Sequence, residues 1–219
     1  GATESDGAVG RAVMENLLDG YEGDVIPINP SSEEVFGLEC YDDITAVADV
    51  DLAIVVVPPQ IVNTVLRQAG EAGVRDAAVI TAGFGESGSE GVEREQEMQA
   101  IAEEYDINLV GPNCLGVIST SVGMNATFTE KSAMAGNISF MSQSGAFISA
   151  VLDWSSDHNV GFNDIVSLGN KAVLDEGDFI NYWGADADTD VILGYLEDIE
   201  NGREFIDTAR EVTQDTPIV

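Results

Sequence analysis

The sequence predicts an α/β protein with two successive, mostly parallel sheets. Asp51 to Pro59 is an aliphatic run between an acid and a proline pair, which is typical of a strand buried on both faces of a parallel sheet. Similar short runs alternate with helical patterns in the first half, and the alternation starts again after Gly136. The 219 residues suffice for two small domains, and we predict their boundary between residues 132 and 133.

The first half opens on a glycine-rich loop, residues 1–10, that leads into a helix ending near Gly20. One apolar face predicts this helix: Val9, Val13, Leu17 and Leu18. Because a strand usually precedes such a loop, we expect a first strand upstream of Gly1. Further strands are predicted at residues 24–30, 51–59, 76–83 and 107–110, and helices at 61–72 and 92–105.

The second half follows a polar stretch from Ser119 to Gly136, which we interpret as a linker region. Strands are predicted at residues 137–142, 164–168 and 190–196, and helices at 147–156, 175–183 and 203–213. Residues 217–219 resemble the start of another strand. We therefore expect the second domain to be incomplete.

The charge balance is extreme, with 40 acidic residues against 8 basic ones and a formal net charge of −32. The acids are spread along ordinary aliphatic sequence, which favours an extremely halophilic cytosol over an ordinary protein with one acidic face. Molar salt screens such repulsion within a few ångströms. The basic patches that bind phosphate backbones are absent, so nucleic acid and anionic membranes are poor partners.

Neither a signal segment nor a membrane-spanning run is recognisable, since no stretch approaches the roughly 20 apolar residues that a span needs. We therefore expect a cytoplasmic protein. The two cysteines, Cys40 and Cys114, are too few for a disulfide framework. Cys and His are not clustered in the sequence, so a structural metal site is not expected.

The predicted strands of the first half end in small or proline residues: Asn29-Pro30, Pro58-Pro59, Ala82-Gly83 and Asn113-Cys114. The carboxyl ends of parallel strands share one edge, where a long ligand could lie. The turn from Gly111 to Gly116 presents the amide of Asn113 and the thiol of Cys114 there. The simpler alternative is a tight turn with a buried cysteine.

Ser142 to Ala146 is a second candidate site, because hydroxyl groups at a strand end are followed by a helix whose first N–H groups are free to bind a phosphate. The alternative is a helix start capped by serine. A nucleophile-elbow hydrolase would need a histidine partner. The one histidine, His158, is predicted to be a solvated surface residue.

Two charged residues at strand ends are further candidates. Lys171 is one of only two lysines and could face an anion, although a surface position is equally compatible with its Gly-Asn-Lys turn. Glu197 could orient a cationic or phosphorylated group.

Eight short motifs follow one another along the chain: Gly1-Ala-Thr, Pro27-Ile-Asn-Pro30, Val57-Pro-Pro59, Thr81-Ala-Gly-Phe84, Gly111-Pro-Asn-Cys-Leu-Gly116, Ser142-Gln-Ser-Gly-Ala146, Ser167-Leu-Gly-Asn-Lys171 and Tyr195-Leu-Glu197. In this order they resemble the NDP-forming acyl-CoA synthetase superfamily over essentially the whole chain. The strongest likeness is to the α part of ADP-forming acetyl-CoA synthetases, and the α subunit of succinyl-CoA synthetase is a more distant relative.

The resemblance implies that residues 1–132 form a CoA-binding Rossmann-like domain and that residues 133–219 form part of a flavodoxin-like ligase domain. CoA would lie across the strand ends of the first domain, with its thiol toward the turn of residues 113–116. The implied CoA-binding residues are Ala2, Thr3, Val25, Pro27, Asn29, Val57, Pro58, Thr81, Ala82, Asn113 and Cys114.

The implied reaction interconverts acyl-CoA, ADP and phosphate with acid, CoA and ATP through an acyl phosphate and a phosphohistidine. Phosphate would be bound by Ser142, Gln143, Ser144 and Gly145, with Asn170 and Lys171 beside them. Glu197 would hold the phosphorylated histidine, which the resemblance places outside this chain. Magnesium with ADP or ATP would bind to a separate ATP-grasp domain or subunit, and self-association into an oligomer is expected.

Two departures from the family bear on function. Lysines that relatives carry in the first loop and after the Asn-Pro turn are replaced by Ala8 and by Ser31-Ser32, so backbone N–H groups, aided by Arg11, would have to meet the CoA phosphates. The phosphorylated histidine has no counterpart here, because His158 matches no functional position. We therefore expect the isolated chain to bind CoA and to turn nothing over.

Two functions of other classes remain alternatives. The same pair of domains occurs as a regulatory module in proteins resembling lysine acetyltransferases. The first half could also be a plain NAD-binding domain. Against NAD, the first loop lacks a clean G-x-G-x-x-G pattern, and no well-placed acid follows the second strand.

Overall fold

The computed structural model describes all 219 residues and contains six α-helices and ten strands. Eight strands form two main sheets, and the first two strands form a separate two-stranded sheet. The helices are α1 (Val9–Gly20), α2 (Pro59–Glu71), α3 (Ser89–Tyr105), α4 (Gly145–His158), α5 (Glu176–Gly184) and α6 (Gly202–Val212). The strands are β1 (Glu34–Val35), β2 (Leu38–Glu39), β3 (Leu52–Val55), β4 (Asp76–Val79), β5 (Asn108–Val110), β6 (Gly116–Ser119), β7 (Met124–Thr127), β8 (Ala135–Ser142), β9 (Phe162–Ser167) and β10 (Val191–Tyr195). None of the helices combines the length and the apolar character needed to cross a bilayer.

The first sheet is parallel, with the strand order β3-β4-β5. Helix α2 begins at a favourable position, because Pro59 supplies a fixed φ where the backbone N–H has no intrahelical partner. Its apolar residues Val62 and Leu66 lie four apart, so both face the sheet and are fully buried. The core between this sheet, α2 and α3 also contains Met98, Ile101 and Leu109. These elements confirm the α/β prediction for this half.

Residues 24–30 differ from their prediction, because they form no regular strand. The segment has a single parallel bridge, from Ile28 to Tyr41. The bridge consists of the hydrogen bonds from Tyr41 N to Pro27 O at 3.1 Å and from Asn29 N to Tyr41 O at 2.9 Å, and Ala2 N also donates to Ile28 O at 3.1 Å. Pro27 has no N–H to continue a ladder, so the extended segment does not form a regular strand.

The second sheet has the strand order β10-β8-β9-β6-β7. Strands β10, β8 and β9 run parallel, whereas β6 pairs antiparallel with both β7 and β9. Beyond β10, Ile218 forms a parallel bridge to Ile192, as expected for the start of another strand. The mostly parallel second sheet is therefore confirmed.

The linker interpretation of residues 119–136 is wrong, because the stretch contains β7, which is a strand of the second sheet. Strand β7 packs against α1, and its polar residues are buried. Thr127 Oγ1 donates to Asn125 Oδ1 at 2.6 Å, and Asn16 Nδ2 on α1 donates to Thr127 O at 2.8 Å. Polar residues whose hydrogen-bonding groups pair with one another can be buried. Such a strand has the polar composition that is otherwise typical of a loop. The domain boundary at 132/133 stays a prediction.

The two halves share one interior and meet along a backbone seam. One buried cluster contains Val110 from the first half together with Met141 and Trp183 from the second. Across the seam, Asn170 N donates to Pro112 O at 2.9 Å and Ala172 N donates to Gly111 O at 3.0 Å. The turns after β5 and β9 are therefore fixed side by side, at the carboxyl ends of both sheets.

Candidate functional site

A cavity of about 470 Å³ lies where the strand ends of the two halves meet, and its lining contains no hydrophobic residue. Four carboxylates and three carboxamides supply its side chains: Glu86, Glu95, Glu197, Asp198, Asn113, Gln143 and Asn170. Four of the predicted site regions, the turns at 113, 143 and 170 and the strand end at Glu197, are thus brought together.

The turn after β5 is shaped by close backbone approach. Gly111 has φ +94°, and a Cβ there would lie 2.5 Å from Val79 O, so only glycine fits. Asn113 has φ +57°, a left-handed conformation that asparagine tolerates better than most residues. Its N–H donates to Thr81 O at 3.0 Å, which ties the turn to the end of β4. The exposed side chain of Asn113 therefore stands at the cavity.

Cys114 lies in the same turn with its side chain buried. Its Sγ donates to Val79 O at 3.3 Å, and burial raises the pKa of the thiol to about 12. A thiol with so high a pKa remains protonated and unreactive at neutral pH. The simpler interpretation of a buried cysteine is confirmed, and Cys114 can contribute only its backbone to a ligand.

The other predicted CoA-binding residues form a linked row along the strand ends. Asn29 Nδ2 donates to Ala2 O at 2.8 Å. Thr81 Oγ1 donates to Val57 O at 2.7 Å. Within the row Pro27 is buried, whereas Val25 and Thr3 are half-buried and Pro58 and Ala82 are exposed. Val57, Thr81 and Asn113 therefore follow β3, β4 and β5 as predicted, with Asn113 at the cavity, whereas Asn29 lies in extended chain and not at the end of a strand.

The first loop offers backbone donors and no free cation. Arg11 donates to Asp6 Oδ1 at 2.6 Å, to Glu15 Oε1 at 2.8 Å and to Glu4 O at 2.7 Å, so its guanidinium is already engaged. The cap residue Ala8 has no side-chain hydrogen bond to the first turn of α1, which leaves N–H groups of that turn available. A ligand phosphate would therefore meet N–H groups rather than Arg11.

The predicted phosphate site at the start of α4 uses its side chains internally. Ser142 is fully buried, and its Oγ both donates to Ser144 O and accepts from Ser144 N, each at 3.0 Å. Ser144 caps the helix by accepting from Phe147 N at 3.3 Å. These contacts leave the N–H groups of Gly145 and Ala146 as donors, so the serine-capped start is compatible with binding of an anion.

Gln143 fastens the end of β10 to the end of β8. Its Oε1 accepts from Glu197 N at 2.6 Å and from Asp198 N at 3.1 Å, and its Nε2 donates to Asp198 Oδ1 at 2.6 Å. The exposed side chain of Glu197 lines the cavity while its backbone is held in place. Glu197 is therefore positioned to accept a hydrogen bond from a group in the cavity.

Lys171 is buried rather than exposed. Its side chain is 2% exposed, and Nζ lies 3.0 Å from Glu176 Oε2, itself on a side chain that is 3% exposed, and 2.9 Å from Asp198 Oδ1. Burial alone would lower the pKa of Lys171, but the hydrogen bonds and charges of Asp198 and Glu176 together raise it. The alternative of a surface lysine is wrong. Because both partners already neutralise the ammonium group, Lys171 offers no free charge to a phosphate.

His158 lies on the surface, as predicted. Its Nδ1 is 2.7 Å from Trp154 O, and its ring stacks on that of Trp154 at 4.3 Å. It ends α4, so about 20 Å of helix separates it from the cavity-facing first turn. We assign it no role at the site.

The sequence interpretation missed three of the four carboxylates that line the cavity: Glu86, Glu95 and Asp198. Acids are so frequent in this chain that none of the three stands out by composition. The one local signal is the position of Glu86 in the glycine-rich loop that follows β4. Its carboxylate folds back to accept from Gly83 N at 2.5 Å and from Phe84 N at 3.2 Å.

Comparison with protein-family models matches each half separately. The model described as a CoA binding domain matches residues 1–120. The model described as a succinyl-CoA ligase like flavodoxin domain matches residues 135–219.

Curated relatives match over the full chain. Acetate–CoA ligase [ADP-forming] I of Archaeoglobus fulgidus is 47% identical over 220 residues, covering 100% of this chain and 32% of the relative. The α subunit of acetate–CoA ligase [ADP-forming] II of Pyrococcus furiosus is 39% identical, covering 100% of this chain and 48% of the relative. The chain thus spans about a third to a half of the length of these relatives.

A solved structure shows the same architecture. It is described as the dinucleotide forming acetyl-coenzyme A synthetase 1 of Ca. Korarchaeum cryptofilum in complex with phosphate and ADP. The TM-score is 0.95 at 41% identity, with 100% of this chain and 47% of that one covered. The chain therefore belongs to the CoA-binding domain family, and its paired domains are those of the α part of the NDP-forming acyl-CoA synthetases.

Proposed function

We propose that this chain is the CoA-binding part of an ADP-forming acyl-CoA synthetase, with acetate–CoA ligase as the most specific assignment. The whole enzyme would interconvert acyl-CoA, ADP and phosphate with acid, CoA and ATP. The observation that carries the proposal is the shared cavity, where Asn113 from the CoA-binding half lies beside Gln143 and Glu197 from the ligase-like half. A reaction that transfers an acyl group between the thiol of CoA and a phosphate needs both groups at one place.

The residues of the chain can contact CoA at both of its ends, the thiol end at the cavity and the phosphate end at the first loop. The row of strand ends from Ala2 to Asn113 can receive a long ligand, and Asn113 stands where the thiol end would reach the cavity. Helix α1 approaches the chain's first residue closely, since a Cβ on Gly10 would lie 2.3 Å from Gly1 O. Backbone N–H groups at that end would take the phosphates, because Arg11 is already paired.

The remaining steps of the ligase reaction involve the second half of this chain and a partner. We propose that the N–H groups of Gly145 and Ala146 receive phosphate and that Glu197 orients a phosphorylated histidine from another segment or subunit. The Pyrococcus furiosus relative is an α subunit, which supports a separate partner that binds ADP or ATP with magnesium in an ATP-grasp domain. We further propose that the whole enzyme is cytoplasmic, halophilic and oligomeric.

The test is calorimetric titration of the folded protein with CoA and, separately, with NAD in molar KCl. We expect CoA to bind, and we expect Asn113→Ala to weaken binding by roughly tenfold, or about 1.4 kcal/mol, because the side chain at the cavity is lost. Asn159→Ala is the matched control. Asn159 is also exposed, has φ +55° and lies at the far end of α4, so both variants impose the same left-handed alanine.

Binding of NAD without binding of CoA would contradict the proposal and favour a generic dinucleotide domain. Equal loss of CoA affinity in the Asn113 and Asn159 variants would instead show that Asn113 acts only through stability. Catalysis by the isolated chain is not expected, and formation of acyl phosphate or ATP by it alone would refute the division of roles.

A further inference from the structure

The side chain of Asn170 is held by three side chains from the first half of the molecule. Its Nδ2 donates to Glu86 Oε2 and to Glu95 Oε2, each at 2.7 Å. Its Oδ1 accepts from Asn113 Nδ2 at 3.2 Å. All four side chains line the cavity. The two carboxylates therefore lie at one end of the Asn170 amide, and Asn113 lies at the other.

Charge fixes the direction of this amide. An ionised carboxylate accepts hydrogen bonds and cannot donate, so the nitrogen of Asn170 must face Glu86 and Glu95. A rotation by 180° would place Oδ1 against two carboxylates and break both bonds. Burial alone would raise the pKa of Glu86, but hydrogen bonds from Asn170, Gly83 N and Phe84 N outweigh it and lower the pKa. Glu86 therefore stays ionised at neutral pH.

The orientation of the Asn170 amide determines the orientation of the Asn113 amide. Because Asn170 offers its oxygen, Asn113 must turn its own Nδ2 toward it. The Oδ1 of Asn113 then remains free on an exposed side chain at the cavity. A carbonyl oxygen in that place accepts a hydrogen bond, whereas an anionic oxygen would be repelled by it and by the neighbouring carboxylates.

We propose that Glu86 and Glu95 are positioning residues, which act through Asn170 to present Asn113 as a hydrogen-bond acceptor and so select a donor group on the ligand. The inference rests on the proposed function, in which that donor belongs to the pantetheine end of CoA. Two groups there are donors, the thiol S–H and the amide N–H. The two carboxylates thus contribute to specificity without touching the ligand.

The experiment compares CoA binding by the wild-type chain and by Glu86→Gln/Glu95→Gln. Glutamine keeps the size of each side chain but can donate or accept, so the direction of Asn170 is no longer imposed. We expect binding of CoA to weaken roughly three- to tenfold, the range for one hydrogen bond. Glu103→Gln is the matched control, because it removes one charge from an exposed site on the same helix as Glu95 and should leave the affinity unchanged.

Acetyl-CoA distinguishes the two donors, because it lacks the thiol hydrogen. A loss of affinity for CoA alone would identify the thiol, and an equal loss for CoA and acetyl-CoA would identify the amide. Either result supports the inference. An affinity for CoA that is the same in the wild type and the double variant would overturn it.

A second readout does not require CoA. In ¹⁵N-correlated NMR spectra we expect the side-chain amide resonances of Asn170 and Asn113 to move in the double variant and to stay in place in Glu103→Gln. A merely structural role would lower the melting temperature without this selective change. Resonances that do not move in the double variant would overturn the inference. Failure of the wild type to bind CoA would by itself refute only the proposed function, and the NMR comparison would still test the inference. If the double variant does not fold, Glu95→Gln alone carries both readouts.

Discussion

Lys171→Met is expected to destabilise the protein by about 3–5 kcal/mol, because it leaves the carboxylate of Glu176 buried without its charged partner. The carboxylate is on a side chain that is only 3% exposed, so water cannot replace the lost ammonium group. Methionine is apolar and of similar length, which keeps the loss of packing small. Chemical denaturation followed by circular dichroism measures the effect.

The matched control is Lys131→Met, since the chain has only two lysines and both form an ion pair. Lys131 pairs with Asp153 at 3.0 Å on the surface, with side chains 47% and 67% exposed. A surface pair contributes only about 0–1 kcal/mol, so this variant should behave almost as wild type. A second replacement, Glu176→Leu, should recover part of the stability lost in Lys171→Met. Equal effects of the two lysine variants would show that burial does not set the cost.

The pH dependence of this ion pair has a definite sign. The pKa of Lys171 is raised in the folded protein, so the stability it supplies is fully present below the unfolded lysine value of about 10.4 and is lost as pH rises through the folded pKa. The pKa of Asp198 is lowered, chiefly by hydrogen bonds from Lys171 and Gln143. Its contribution is present above about pH 3.9 and is lost as pH falls through the folded pKa. The difference in stability between wild type and Lys171→Met should therefore shrink above about pH 10.4. A difference that stays constant in strong alkali would contradict this.

The folded state is expected to be lost at low salt. Only eight of the carboxylates lie in ion pairs, so most of the 40 acidic residues have no basic partner. For a net charge of −32 on a globule of this length, the mutual repulsion is on the order of tens of kcal/mol at millimolar salt and several-fold smaller at molar salt. This exceeds a typical folding stability of about 5–15 kcal/mol.

Circular dichroism and calorimetry in KCl from about 10 mM to 2 M would measure this dependence. We expect cooperative melting at molar salt and loss of secondary structure at the low end. An equal mass of sucrose in place of KCl is the control, because it stabilises compact states without screening charge. A melting temperature that is unchanged across the salt series would refute the halophilic interpretation.

The sequence by itself determined the six helices, the parallel strands β3, β4, β5, β8, β9 and β10, and the position of the strand-end turns. The aliphatic run before Pro58 and the helical spacing of Val62 and Leu66 depend on residues close together in the chain, so their periodicity could be recognised without a structure. The turn at Gly111 and the helix start at Ser144 have equally local chemistry. The sequence placed Asn113 and Gln143 each at a strand end, but they follow strands of different sheets, so only the fold brought them to one cavity.

Tertiary structure alone decided which polar groups are buried and what they contact. Lys171 is buried against Asp198, which is 27 residues away, and the Asn170 amide is directed by Glu86, which is 84 residues away. The polar residues of β7 became interior because Asn16, 111 residues earlier, satisfies their backbone. The sequence does not indicate which partner a polar side chain will have. Burial of that side chain becomes favourable only when the fold brings the partner within hydrogen-bond distance. That is why the strand-end positions of the site could be predicted, while the linker, the exposure of Lys171 and the carboxylates behind Asn170 could not.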